Sequence, residues 1–272
     1  MASADAAVRP PRWGLLMFEG RALLELAALL PAYPLLRRAA RGDGHPVLVL
    51  PGFMASDFST RALRGFLRER GYYAYGWGLD RNVGPRPEIV QGLVQRFRSI
   101  HEKHGRTVSL VGWSLGGVYA RELARGFPTA ARQVITLASP FRDLEAVNLP
   151  RFLRAFGNRR LHPDQEATRK LLSTPLPVPS TAIYSRSDGI VAWQSCAEEP
   201  GPQRESIEVE SSHLGIGHHP VVLLTIADRL AQAEGRWQPF RPPSGWSWPF
   251  VPRVAVASPH AATLRQALHR SG

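Results

Sequence analysis

Residues 107–126 read TVSLVGWSLGGVYARELARG. The first five are β-branched or apolar apart from Ser109, as in a strand buried on both faces. The last twelve carry apolar residues at helical spacing. Between them lies Gly112-Trp113-Ser114-Leu115-Gly116-Gly117, a Gly-x-Ser-x-Gly pattern in a strand–turn–helix context. A serine in so sharp a turn takes strained backbone angles, and side chains at 112 or 116 would collide with neighbouring backbone. Its hydroxyl stands at the N-terminus of the next helix, where free N–H groups and the helix dipole favour a developing oxyanion.

Outward from this turn the pattern alternates. Strands are expected at His45–Pro51, Tyr72–Trp77, Gln133–Ala138, Ser180–Tyr184 and Ile207–Glu210. Helices are expected at Thr60–Arg70, Pro87–His104 and His219–Ala233. Strands alternating with helices imply an α/β fold, a mostly parallel central sheet flanked by helices. The polar, Arg-rich stretch 141–177 interrupts the rhythm and reads as a short cap or lid insertion. The expected organisation is an N-terminal amphipathic helical extension over 1–44, the α/β domain over 45–236, and a Pro/Trp-rich tail over 237–272.

A chain of 272 residues can bury a full core without disulfides or metal. Its single cysteine, Cys196, excludes an intramolecular disulfide framework and a Cys-rich zinc module, and it fits a reducing, cytoplasmic setting. The net charge is +12, yet Lys103 and Lys170 are the only lysines and the arginines spread along the whole chain. No basic block of the nucleic-acid kind stands out, so no nucleic-acid partner is expected. No secretory signal is expected from the first residues. The longest uncharged apolar run near the N-terminus, Leu26–Leu36, is too short for a bilayer span and is broken by Pro31 and Pro34. Two readings of this stretch stay open. It is an amphipathic cover for the domain, or an interfacial helix making a peripheral membrane contact, with Arg37, Arg38 and Arg41 at the headgroups.

A serine needs a base, and the base needs an orienting acid. Asp188 lies in the turn Ser185-Arg186-Ser187-Asp188-Gly189, just past the strand STAIY. His213 follows the next strand in Ser211-Ser212-His213-Leu214-Gly215, with His218 and His219 as its competitors, although capping or packing beside Pro220 is expected of those two. Asp143 and Asp80 are the alternative acids. His45, His101, His104 and His162 read as surface residues. Leu115 and Phe53, the latter in Pro51-Gly52-Phe53-Met54, are the expected backbone donors to an oxyanion. Met54, Trp113, Phe141 and Trp193, with Leu144 and Phe152, could line an apolar acyl pocket, although such side chains are as often core.

Taken together, VLVLPGF (47–53), GWSLGG (112–117), YSRSDGIV (184–191) and SSHLGIGHHP (211–220) resemble the α/β-hydrolase superfamily, bacterial esterases and lipases in particular. The resemblance spans about residues 45–234. It implies Ser114 as nucleophile, His213 as base and Asp188 as orienting acid, in two-step acyl transfer on a small-molecule or lipid ester with no metal or organic cofactor. A serine at the elbow is unlike the aspartate of dehalogenases and epoxide hydrolases. Acyltransferase or thioesterase chemistry on the same residues, and a non-catalytic binding protein on the same fold, remain open from sequence.

Overall fold

The central strand of the sequence pattern is also the central strand of the protein. In the computed structural model, which describes residues 8–148, 165–242 and 253–254, seven strands form one sheet. They are β1 (Pro46–Leu50), β2 (Tyr73–Gly76), β3 (Val108–Trp113), β4 (Ala131–Leu137), β5 (Ser180–Tyr184), β6 (Arg204–Glu208) and β7 (Arg253–Val254). Their order is β2-β1-β3-β4-β5-β6-β7. The first six run parallel, and the two-residue β7 closes the edge antiparallel to β6 through Ile207 and Glu208. β1, β3, β4 and β5 are buried along their whole length, which is why they read as continuous apolar runs.

Both faces of the sheet are covered, and successive residues of each strand feed opposite cores. Val47, Val49, Val111 and Ile135 pack against α4 (Arg61–Glu69) and α8 (Pro220–Ala231) through Leu63, Leu67, Val222 and Ile226. Leu48, Leu50, Leu110 and Val134 pack against α5 (Pro87–His104) and α6 (Leu115–Gly126) through Leu93, Phe97, Ala120 and Leu123. α5 begins with Pro87 at its first turn and ends on Gly105 in the left-handed region, φ 56°. α7 (Gln165–Ser173) adds Leu172 to a smaller cluster with Val118, Phe141 and Ala182.

Four sequence expectations are revised. The last parallel strand is Arg204–Glu208 instead of 207–210. Its polar residues are satisfied by buried partners: Glu205 accepts from Arg229 at 2.8 Å and Thr181 at 3.0 Å. Val209 and Glu210 therefore begin the loop towards His213. His45 is fully buried instead of exposed. Its Nδ1 lies 2.5 Å from Asp43 and its Nε2 lies 2.9 Å from Ser109. The stretch expected as a polar insertion starts as core: Phe141, Ala146, Val147 and Asn148 are buried, and Val147 bridges Val191. Residues 149–164, with Phe152 and His162, lie outside the described residues.

The fourth revision concerns the N-terminal stretch. It folds as α1 (Trp13–Met17), a 3₁₀ turn (Phe18–Arg21), α2 (Ala22–Ala27) and α3 (Leu29–Leu36). Leu36 is buried, and Leu29 and Ala32 pack on the main core. Over 13–30, however, most of its large apolar side chains do not cover the domain in the way the first of the two readings expected. Met17, Leu23, Leu24 and Leu30 are exposed, whereas Glu19 and Glu25 are buried. Of the tail, Phe240 is buried and its N–H donates to Glu205 at 2.7 Å, and β7 pairs with the sheet.

Burial lowers the pKa of His45 to about 4; the hydrogen bond and charge of Asp43 oppose this, and the charges of Arg132 and Arg106 reinforce it. An imidazole neutral in the fold but protonated when unfolded makes stability fall as pH drops from 6.5 towards 4. Urea titrations of wild type and His45→Gln at pH 7 and pH 5 should show wild type losing about 2 kcal/mol more than the variant on acidification.

Candidate functional site

The turn from β3 into α6 leaves Ser114 little choice. Its φ is 54° and its ψ is −123°, a conformation that costs a non-glycine residue about 1–3 kcal/mol. The neighbouring backbone enforces it. A Cβ at Gly112 would fall on the carbonyl of Gly116 and the backbone of Gly117, and a Cβ at Gly116 would meet the carbonyl of Leu50. The Ser114 N–H donates to the Leu137 carbonyl at 2.8 Å, which ties the turn to β4. The serine stays partly exposed at the carboxyl edge of the sheet, where ligands bind in open α/β sheets.

The loop after β1 comes close. A Cβ at Gly52 would lie 3.2 Å from that of Ser114. This loop is fixed by Asn82, a buried residue that sequence reasoning did not single out. Asn82 Nδ2 donates to the Pro51 carbonyl at 2.9 Å, its N–H to the Ala55 carbonyl at 2.8 Å, and its own carbonyl accepts from Met54 at 2.7 Å. No described residue accepts from the N–H of Phe53 or of Leu115. The two expected oxyanion donors are thus without a protein partner among the described residues.

Asp188 and His213 meet across the ends of β5 and β6. His213 Nδ1 lies 2.8 Å from Asp188 Oδ2, and both side chains are buried. The other carboxylate oxygen accepts the N–H of Ile190 at 2.8 Å and of Val191 at 2.7 Å. Burial pulls the His213 pKa down, but the Asp188 charge and hydrogen bond, with Glu19 adding, outweigh it and leave the pKa raised. Trp113, one residue before Ser114, donates its indole N–H to the His213 carbonyl at 3.0 Å. That bond links the loop of His213 to the serine turn, so Trp113 braces the site. His218 turns elsewhere, with Nε2 3.0 Å from the Ala22 carbonyl.

The N-terminal stretch completes this arrangement. Glu19 Oε1 accepts the N–H of Gly189 at 2.8 Å and of His213 at 3.1 Å, and its Oε2 accepts the N–H of Leu214 at 2.9 Å. Glu25 accepts the Ser212 N–H at 2.8 Å and its hydroxyl at 2.7 Å, and the Ser211 hydroxyl at 3.2 Å. Arg21 bonds Glu25 at 3.2 Å and the Ser187 hydroxyl at 2.8 Å. A buried carboxylate is tolerable only when so bonded. The available signal in the sequence was Glu19, Arg21 and Glu25 set in an otherwise largely apolar stretch.

The remaining expected pocket residues divide. Phe141 is in the core, with the Arg121 guanidinium 3.8 Å from its ring centroid. Trp193 stacks on Tyr184 at 5.5 Å and carries Arg186 on its ring. Met54 is exposed with a positive φ of 60°, beside the half-buried Phe53. Among the described residues no cluster of His, Cys, Asp or Glu could hold a metal ion, and no helix is long and apolar enough to cross a membrane.

A family model described as the alpha/beta hydrolase family matches residues 47–268. Among solved structures, lipase BlEst2 of Bacillus licheniformis in its mature form is 15% identical, with a TM-score of 0.54 over 71% of this chain and 93% of that one. Lipase B of Aspergillus fumigatus is 17% identical, with a TM-score of 0.55 over 71% of this chain and 53% of that one. At these identities the likeness is one of fold. A search of curated protein sequences gives no significant match.

A methyl group at Gly215 would occupy the place of the Glu25 carboxylate, whereas one at Gly126 would meet nothing within 4 Å. Gly215→Ala should therefore free the N-terminal stretch, with amide exchange over 211–215 faster by roughly tenfold or more and global stability lower by about 2 kcal/mol. Gly126→Ala, in the last turn of α6 and with no positive φ, should be neutral or stabilise by up to about 1 kcal/mol and leave that exchange unchanged.

Proposed function

Since the chain belongs to the alpha/beta hydrolase family, we propose that it is a serine hydrolase acting on carboxylic esters, with Ser114 as nucleophile, His213 as base and Asp188 as orienting acid. One observation carries the reading. His213 Nδ1 is held at 2.8 Å by a buried carboxylate whose other oxygen is already satisfied, on a loop tied to the strained Ser114 turn. An imidazole fixed this way keeps its Nδ1 proton and offers Nε2 as the base.

The reaction then has two steps. Ser114 Oγ attacks the ester carbonyl as His213 takes its proton, and the carbonyl oxygen becomes an oxyanion facing the N–H groups of Phe53 and Leu115. His213 returns the proton to the departing alkoxide, leaving an acyl-serine. Water, deprotonated by His213, attacks the acyl carbonyl; the intermediate collapses to the free acid as the proton returns to Ser114. The exposed Met54, on the loop whose Gly52 approaches Ser114, offers apolar surface for an acyl group, and the lipase names of the two compared structures agree with a lipid or medium-chain ester. Each single loss of an oxyanion donor would cost roughly a hundred- to a thousandfold in turnover.

The proposal is tested on p-nitrophenyl esters of increasing chain length. Ser114→Ala should abolish turnover, and Asp188→Asn should lower kcat by about ten-thousandfold with circular dichroism unchanged. In wild type kcat/KM should fall on acidification through the raised pKa of His213, because only the neutral imidazole serves as base. Unchanged turnover in either variant contradicts the assignment.

A further inference from the structure

We propose that Glu19 is a positioning residue for the base: a second carboxylate that fixes the His213 loop and faces its imidazole with negative charge. The inference rests on the serine-hydrolase reading. Glu19 is 5% exposed and has no cationic partner among the described residues. Its hydrogen bonds run to three backbone N–H groups, of Gly189, His213 and Leu214. The first follows the orienting acid and the other two are the base and its neighbour, so one side chain sets the spacing of both loops. The charge of Glu19 also favours the protonated imidazole. The other charged or titratable groups around this loop are Asp188 and Arg186 after β5, Glu208 and Glu210 leading out of β6, and Arg21 and Glu25 in the N-terminal stretch. His218 and His219 precede α8.

A group that only stabilised the fold would lower activity equally at every pH. Glu19→Gln keeps the size, removes the charge and turns one acceptor into a donor facing an N–H. The expected result is a loss of roughly ten- to a hundredfold in plateau kcat/KM. With it, the acid limb should shift to lower pH, since the imidazolium loses a stabilising charge. Glu19→Asp keeps the charge but shortens the reach, so the limb should stay in place while the plateau falls. A Glu19→Gln profile with the wild-type limb overturns the proposal. If Glu19→Gln does not fold, a wild-type plateau in Glu19→Asp overturns it. Absence of turnover in wild type would instead refute the underlying serine-hydrolase reading.

A separate observation carries a second proposal. The outer side of residues 9–41 exposes Trp13, Met17, Phe18, Leu23, Leu24 and Leu30, each at least 60% exposed. Around them Arg9, Arg12, Arg37, Arg38 and Arg41 are exposed, and the only two acids of this stretch, Glu19 and Glu25, are buried. An apolar face whose own stretch exposes only cationic charged side chains, with Glu210 the nearby exposed acid, matches the surface of an anionic bilayer better than it matches a typical protein surface, in which both signs are mixed. Leu214, held by Glu19 and half exposed, lies next to His213 and continues the apolar face towards the site. We infer that this face docks on anionic lipid membrane.

The test is co-sedimentation of the full chain with phosphatidylcholine vesicles containing or lacking phosphatidylglycerol. Binding should require the anionic lipid, weaken with salt, and drop roughly tenfold or more in the combined variant Leu23→Gln, Leu24→Gln, Leu30→Gln. Turnover of a water-soluble ester should be unchanged in that variant. Failure to bind anionic vesicles overturns the proposal. A dimer that the same variant dissociates assigns the face to a second copy, and binding gained only on removing residues 243–272 assigns it to the tail.

Discussion

α6 passes β3 at Gly112 and the end of β1 at Gly116 too closely for a side chain at either position, and the turn between β3 and α6 holds Ser114 at φ 54°. The strain is tolerated because the turn is fixed on both sides, by the bond from Ser114 to Leu137 in β4 and by the approach of the Gly52 loop from β1. The order of the sheet then does the rest. Loops leaving β1, β5 and β6 all emerge at the same carboxyl edge, because the six strands run parallel. A serine hydroxyl, free N–H donors and an imidazole–carboxylate pair belong to that edge through four different strand ends.

What distinguishes this chain is how the loops are held. Loop backbone that leaves a sheet loses its ladder partners and must find others. Asn82 serves the loop of Phe53, and Glu19 and Glu25 serve the loops of Asp188 and His213. The same side-chain types make a contrasting set at the opposite end of the sheet, where Asp43, His45 and Ser109 form a hydrogen-bonded row. There the serine is fully buried in an unstrained strand, so no substrate can reach it. Exposure and the strained turn separate the proposed hydrolytic site from this row, which has the same residue types and similar hydrogen bonds.

Much of the fold was legible because its decisive elements follow simple periodicities. β5 falls on the expected residues and α6 on the expected span, since one is a short run of strand-forming residues bounded by prolines and a polar turn and the other follows the serine turn with apolar residues at helical spacing. The Asp188–His213 pairing was legible from the order of loops after strands. β6 was misplaced because its charges are buried in pairs with Arg229 and Arg186, which a local pattern cannot show. His45 was read as surface because its burial depends on contacts distant in sequence, such as Ser109 on the adjacent strand β3, even though its other partner, Asp43, lies only two residues before it. For the N-terminal stretch, the reading as a cover assumed that apolar residues face inwards, but here backbone N–H groups of distant loops draw Glu19 and Glu25 inwards and leave the leucines outside.

The proposed chemistry depends above all on Ser114 being an activated nucleophile. Intact-mass analysis after exposure to a fluorophosphonate, with wild type beside Ser114→Ala, measures that activation. One adduct is expected on wild type, mapped to the peptide carrying Ser114, and none on the variant. A folded wild type that takes no adduct, or a variant that still takes one, would contradict it.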